Sequence, residues 1–147
     1  MSRLRFATLV AVLCPCVSLA HDEFADVTIK TTKITAHIYM LEGRGGNIGV
    51  SAGPDGILIV DDQYAPLSDK IKAALKDLGS DKPKYILNTH WHGDHVGGNP
   101  AFGKDGTIIA HTNVRKRVST KQTLFGKDVE ALSPEGWPVI TFDESVS

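Results

Sequence analysis

At 147 residues, with 41% hydrophobic and 22% charged side chains, the chain is long enough to bury one real core and too short for two. Its 16 Lys and Arg stand against 17 Asp and Glu, with no run of like charge. That balance excludes the basic excess of a nucleic-acid or anionic-membrane binder, and the composition is that of an ordinary soluble globular domain.

The first twenty residues, "MSRLRFATLVAVLCPCVSLA", differ from the rest. Arg3 and Arg5 precede an apolar run from Phe6 to Leu13, and Ser18 and Ala20 supply the small residues of a signal-peptidase cut before His21. The run is too short to span a bilayer, which takes roughly 20 residues. Residues 1–20 therefore read as an export signal, giving a periplasmic or secreted protein with no stable membrane association, and residues 21–147 as the domain. A lipoprotein reading through Cys14 or Cys16 fits less well, because Pro15 sits between them. Cleavage removes both cysteines, the only two in the chain, so the domain has no thiolate ligand.

"DVTIKTTKITAHIYMLEG" alternates and is rich in Thr, Ile and Val, which predicts strands over 27–31 and 34–41, with His37 mid-strand on one sheet face. Two apolar runs flank "GPDG", a turn sequence, and predict a hairpin with strands at 47–52 and 57–61. In "PLSDKIKAALKDLG" the period changes: Leu67, Ile71, Leu75 and Leu78 share one helical face, with Ser68 as N-cap and Gly79 as stop. "KYILNTH" is a short buried strand, "GTIIAH" a strand over 107–110, "TNVRKRVST" a short basic helix and "WPVITF" a last strand. Strands first, then strand–helix–strand, predict an α+β fold with a mixed sheet and helices on one face.

"NTHWHGDHVGGN", residues 88–99, spends three of six histidines within six positions. If the chain stays extended past the 85–88 strand, His90, His92 and Asp94 point to one side. His95 then faces elsewhere as the glycines let the chain turn, giving two adjacent pockets, His90 with His92 and Asp94 with His95. Nitrogen and oxygen donors of this kind suit Zn²⁺ first and iron or manganese next.

"THWHGDH" matches His-x-His-x-Asp-His and resembles the signature of the metallo-β-lactamase superfamily, as does the order of the "GILIVDD" strand, the amphipathic helix and the "KYILNTH" strand. The resemblance implies an αβ/βα sandwich, of which this chain carries the N-terminal half, with metals at one rim of the sheets. It implies His90 and His92 as ligands of a first zinc and Asp94 and His95 of a second. Asp94 would also orient the attacking hydroxide or take its proton. The implied reaction is attack of metal-bound hydroxide on an ester, thioester or lactam carbonyl, with two zinc ions per complete domain. Further ligands of the family come from a second half that does not precede Ser147. A mono-iron persulfide dioxygenase, whose relatives carry a similar run, and a truncated non-catalytic metal-binding fragment are the alternatives.

Of Asp61 and Asp62, which end a strand at the same rim, the resemblance suggests that one accepts a hydrogen bond from a ligand; a strand-ending turn pair explains them equally well. His111 reads as a capping or packing residue. The "NVRKRVSTKQ" run reads as a solvated helix face, with a substrate-carboxylate contact as the sharper alternative. Trp91, between two candidate ligands, either packs below the site or lines its cleft.

Overall fold

The computed structural model describes residues 22–145; the export segment expected over 1–20 lies outside them. Among these residues no helix is long and apolar enough to cross a membrane.

Four strands, β1 (Lys30–Lys33), β2 (Ile38–Glu42), β3 (Asn47–Gly53) and β4 (Gly56–Val60), run antiparallel in sequence order. From β4 the direction becomes parallel through β5 (Tyr85–Asn88), β6 (Thr107–His111) and β9 (Ile140–Phe142), completing one seven-stranded mixed sheet. The parallel strands carry the near-continuous apolar runs "GILIV", "YIL" and "TIIA", as expected where both faces of a sheet are apolar. On one face Leu41, Ile48, Val50, Ile59, Ile86 and Ile108 are buried together with Leu67, Ile71 and Leu75, the last two on helix α1 (Ser68–Lys76). On the other face Leu58, Val60, Leu87 and Ile109 are half-buried.

Three short helices complete that covered face: α2 (Gly93–Val96), α3 (Asn99–Phe102) and α4 (Thr112–Val118). Phe102 of α3 is fully buried in the core cluster. Phe102→Ala is expected to cost about 3–5 kcal/mol, as removal of a buried ring does, readable as a lower urea midpoint at unchanged slope. A second cluster joins Val96, Ala110, Val114 and Val118 with Trp91, Leu132 and Trp137.

Several sequence expectations shift. The first strand begins at Lys30 and not at 27, and the second begins at Ile38 and not at 34, because Thr35 Oγ1 accepts from the N–H groups of His37 (3.4 Å) and Ile38 (3.2 Å) and makes 34–37 a turn. His37 therefore lies in that turn, not mid-strand, with Nδ1 3.1 Å from the carbonyl of Ala52. Ser68 does not cap α1. A 3₁₀ turn over Ala65–Leu67 leads into the helix, Ser68 is its first residue, and the Ser68 hydroxyl is buried without a partner. Gly79, at φ +131°, does terminate it. A hairpin of β7 (Gln122–Leu124) and β8 (Lys127–Val129) escapes the sequence reading, since its turn is Phe125-Gly126, both left-handed, and lacks the usual Asn-Gly signal.

Candidate metal centre

The candidate ligands lie at the C-terminal ends of the parallel strands, where open α/β sheets place their sites. Asp61 leaves β4 and its N–H still donates to Leu87 of β5 (2.8 Å). Thr89 to His92 leave β5. The chain bends at Thr89, His92 is itself extended (φ −68°, ψ 148°), and α2 then begins at Gly93. Asp94 therefore sits on the first turn of a helix and not on an extended edge beside His90 and His92, which corrects the alternation expected from sequence. The helix also swings His95 inward. Its ring centroid lies 4.0 Å from that of His90, which in turn is 4.8 Å from that of His92. One contiguous group of imidazoles replaces the two separate pockets.

The Asp61 carboxylate organises that group. It accepts from the Thr89 N–H (2.8 Å) and from the Thr89 hydroxyl (2.7 Å), and Oδ2 lies 2.8 Å from His95 Nδ1. A carboxylate only accepts, so His95 carries its proton on Nδ1 and turns Nε2 outward. The Thr89 hydroxyl, having given its proton to Asp61, is left to accept from His90 Nδ1 at 3.1 Å. One buried acid thus sets the tautomer of His95 directly and of His90 through Thr89. Burial, and after it the charges of His95 and His92, hold His90 below its ordinary pKa and keep its imidazole neutral.

Neither Asp61 nor the residue two places on has an ordinary backbone. Asp61 (φ 63°) and Gln63 (φ 58°) are left-handed without being glycine, a conformation that costs on the order of 1–3 kcal/mol and collects at functional sites. Gln63, fully buried, accepts from the Arg44 N–H (3.2 Å) and donates to the Gly46 carbonyl, so it fixes the loop that caps the histidines. A Cβ on Gly46 would stand 2.8 Å from His95 Cε1, so the loop packs on that ring only as glycine. Asp62 plays a different part: Oδ1 accepts from the Gly98 N–H (2.9 Å), Oδ2 is unpartnered, and burial raises its pKa well above the carboxylate range. Asn88 and Asn99 exchange two 3.0 Å amide hydrogen bonds and anchor both ends of the motif. Sequence reading named Asp61 and Asp62 as a pair but missed Gln63, Thr89 and Asn99.

Donor chemistry fits a metal ion. His95 Nε2 faces Asp94 Oδ2 at 3.3 Å, and two lone pairs at that distance need a proton or a cation between them. Among the described residues no group of three or more His, Cys, Asp or Glu side chains is placed so that it could already hold a metal ion. His90, His92 and His95 would hold the ion through neutral imidazoles and Asp94 through its carboxylate. Asp61→Asn is expected to weaken zinc binding about 10–100-fold, the usual cost of losing a ligand's hydrogen-bond partner, because an amide cannot serve His95 and both Thr89 donors at once. Chelator competition measures this; unchanged affinity would separate Asp61 from the metal site.

His111 caps α4, its Nδ1 accepting from the Asn113 N–H at 3.0 Å, and stands apart from this group. Trp91 packs below it on Val96, Ala110, Val114 and Val118.

Residues 33–144 match the model of the metallo-β-lactamase superfamily, and the chain belongs to that family. No curated protein matches it. Among solved structures it is similar to a subclass B3 metallo-β-lactamase of Bradyrhizobium japonicum, at 20% identity and TM-score 0.66 over 83% of this chain and 48% of that one. A subclass B3 metallo-β-lactamase from a soil metagenome library aligns at 21% identity and TM-score 0.65, over 80% and 47%. A metallo-β-lactamase of Cronobacter sakazakii with a HARLDQ motif aligns at 17% identity and TM-score 0.65, over 81% and 47%. At these identities the likeness establishes the fold, the α+β metallo-β-lactamase sandwich, and the chain spans about half the length of those structures.

Proposed function

We propose that the full-length protein is an exported, zinc-dependent hydrolase acting on an ester, thioester or lactam carbonyl of a small molecule. The observation that carries this reading is the Asp61 carboxylate, which orients His95 and, through Thr89, His90 beside His92. Family membership and the donor set support it further. Bound zinc would supply a Lewis acid for the carbonyl oxygen and lower the pKa of an attacking water.

The chain's own residues do the remaining work. Asp61 and Thr89 present Nε2 of two imidazoles with little freedom to rotate, so the ligands need no reorganisation on binding. Asp94, anchored on α2 with its side chain 32% exposed, is the group placed to orient the attacking water and to take its proton. Trp91, wedged under His92 at 5.0 Å between ring centroids, closes the floor.

Elemental analysis of purified full-length protein, with assays on chromogenic ester, thioester and β-lactam substrates, tests the reading. Zinc should co-purify, and turnover should vanish with a chelator and return with added zinc. Iron together with oxygen uptake on a persulfide would overturn it.

A further inference from the structure

Residues 22–27 enter the fold as a turn, with the Ala25 N–H on the Asp22 carbonyl (3.0 Å) and the Val27 N–H on that of Phe24 (3.2 Å). Lys70, on α1, reaches back to this turn. Its ammonium donates to the carbonyls of Phe24 (2.9 Å), Ala25 (2.7 Å) and Val27 (2.7 Å). An ammonium has three donors, and here all three are spent on one short segment. Elsewhere the segment stands off the helix. A recess of about 630 Å³ is bordered by Ala25, Asp26 and Val27 of the segment and by Ala73, Ala74 and Asp77 of α1 and its end. The polar hold on α1 therefore runs through Lys70.

The same segment grips loop 43–46, between β2 and β3. Arg44 donates from Nη1 to the Glu23 carbonyl (3.1 Å) and from Nη2 to the Glu23 carboxylate (2.8 Å). Its guanidinium carbon lies 5.4 Å from the centre of the Phe24 ring. An exposed ion pair alone would count for little, but this guanidinium is fixed by two hydrogen bonds and a ring at once. Phe24 leans in turn on Tyr64, at 5.3 Å between ring centroids. Tyr64 and Asp94 flank Gly45, where a Cβ would stand 3.1 Å from Tyr64 Cε2 and 3.0 Å from Asp94 Cβ, while Gly46 packs on the His95 ring. The loop thus touches both members of the pair whose facing atoms are 3.3 Å apart.

We propose that residues 22–27 are a strap which, anchored by Lys70 and acting through Arg44, holds loop 43–46 against Asp94 and His95 and so fixes the spacing of those two donors. Arg44 and Lys70 are positioning residues, and each depends on the other: ordering the segment costs conformational entropy that neither end offsets alone. The purpose of the strap rests on the metal-centre reading above; its docking does not.

Substitutions at both ends of the strap in the full-length protein test it. Lys70→Met and Arg44→Met keep the apolar stems and remove the donors. Lys72→Met is the control, because that ammonium donates to the Ala101 carbonyl (3.1 Å) and not to the strap. In metal-free protein, hydrogen exchange at the residue-44 N–H, which Gln63 Oε1 accepts (3.2 Å), and the NMR signals of the His95 ring report the loop. Lys70→Met and Arg44→Met should each speed that exchange about tenfold or more and shift the His95 signals alike, and Lys72→Met should do neither. The double variant should go no further than the larger single effect, since either change undoes the same strap. Zinc titrated against a competing chelator should bind about tenfold more weakly to both single variants, the low end for a ligand that loses its support. Loop and ring signals that ignore Lys70→Met, that respond equally to Lys72→Met, that add in the double variant, or that change with no loss of zinc affinity overturn the strap. A wild type that takes up no zinc, while Lys70→Met still frees the loop and the His95 ring, upholds the strap and overturns the metal-centre reading.

Discussion

Asp94→Asn in the zinc-loaded full-length protein is expected to lower kcat by about 10²–10⁴-fold, the range spanned by a positioned general base. The metal held by His90 and His92 should stay in place. The substitution conserves size and one oxygen, so the backbone of α2 and the close packing of Gly45 against the Asp94 Cβ, where a glycine Cβ would stand at 3.0 Å, are undisturbed. What disappears is the negative charge opposite His95 Nε2 and the capacity to accept a proton from water. KM should move much less than kcat, because Asp94 acts on the attacking water rather than on the substrate body. Steady-state kinetics paired with metal analysis of the same preparation decides the matter. An Asn variant turning over at the wild-type rate would remove Asp94 from the proposed chemistry.

How far the sequence could be read follows from which forces act locally. The apolar runs at "GILIV", "YIL" and "TIIA" and the Leu67–Ile71–Leu75 stripe were legible because burial repeats at the period of the element that carries it. His90, His92, Asp94 and His95 were legible as a group because their chemistry is unusual at that spacing. Their arrangement was not, since it depends on α2 starting at Gly93, where the N–H groups of His95 and Val96 both reach the His92 carbonyl at 2.9 and 3.1 Å. Nor does any pattern announce that Asp61 and Gln63 are left-handed, or that Asn88 will meet Asn99 across eleven residues. Those features come from long-range closure, in which a strand end, a loop and a helix compete for the same few donors. Thr35 shows the same logic in miniature: its hydroxyl captures two backbone N–H groups and delays the start of a strand that β-propensity alone would begin at 34.

His90→Ala should act on the other side of the same machinery, emptying the site rather than stalling it. His90 is the central ring of the group, 4.0 Å from His95 and 4.8 Å from His92 between centroids, so its loss opens the middle of the donor set. Without metal, little should change. The side chain is only half-buried and its one hydrogen bond, to Thr89 Oγ1, is long at 3.1 Å, so the metal-free melting temperature should stay near wild type. With metal the two proteins should separate. An ion that binds only the folded state stabilises it by mass action, and each tenfold loss of affinity removes about 1.4 kcal/mol of that gain at a fixed excess of zinc. The zinc-induced rise in melting temperature should therefore shrink or vanish in His90→Ala while persisting in Asp94→Asn, and the bound zinc count should fall in step. This contrast distinguishes a ligand at the centre of the donor set from one at its edge that also serves as base, without reference to any substrate. A His90→Ala protein that keeps both its zinc and its thermal response would mean that the ion, if one binds, is held elsewhere than by the imidazoles that Asp61 and Thr89 orient.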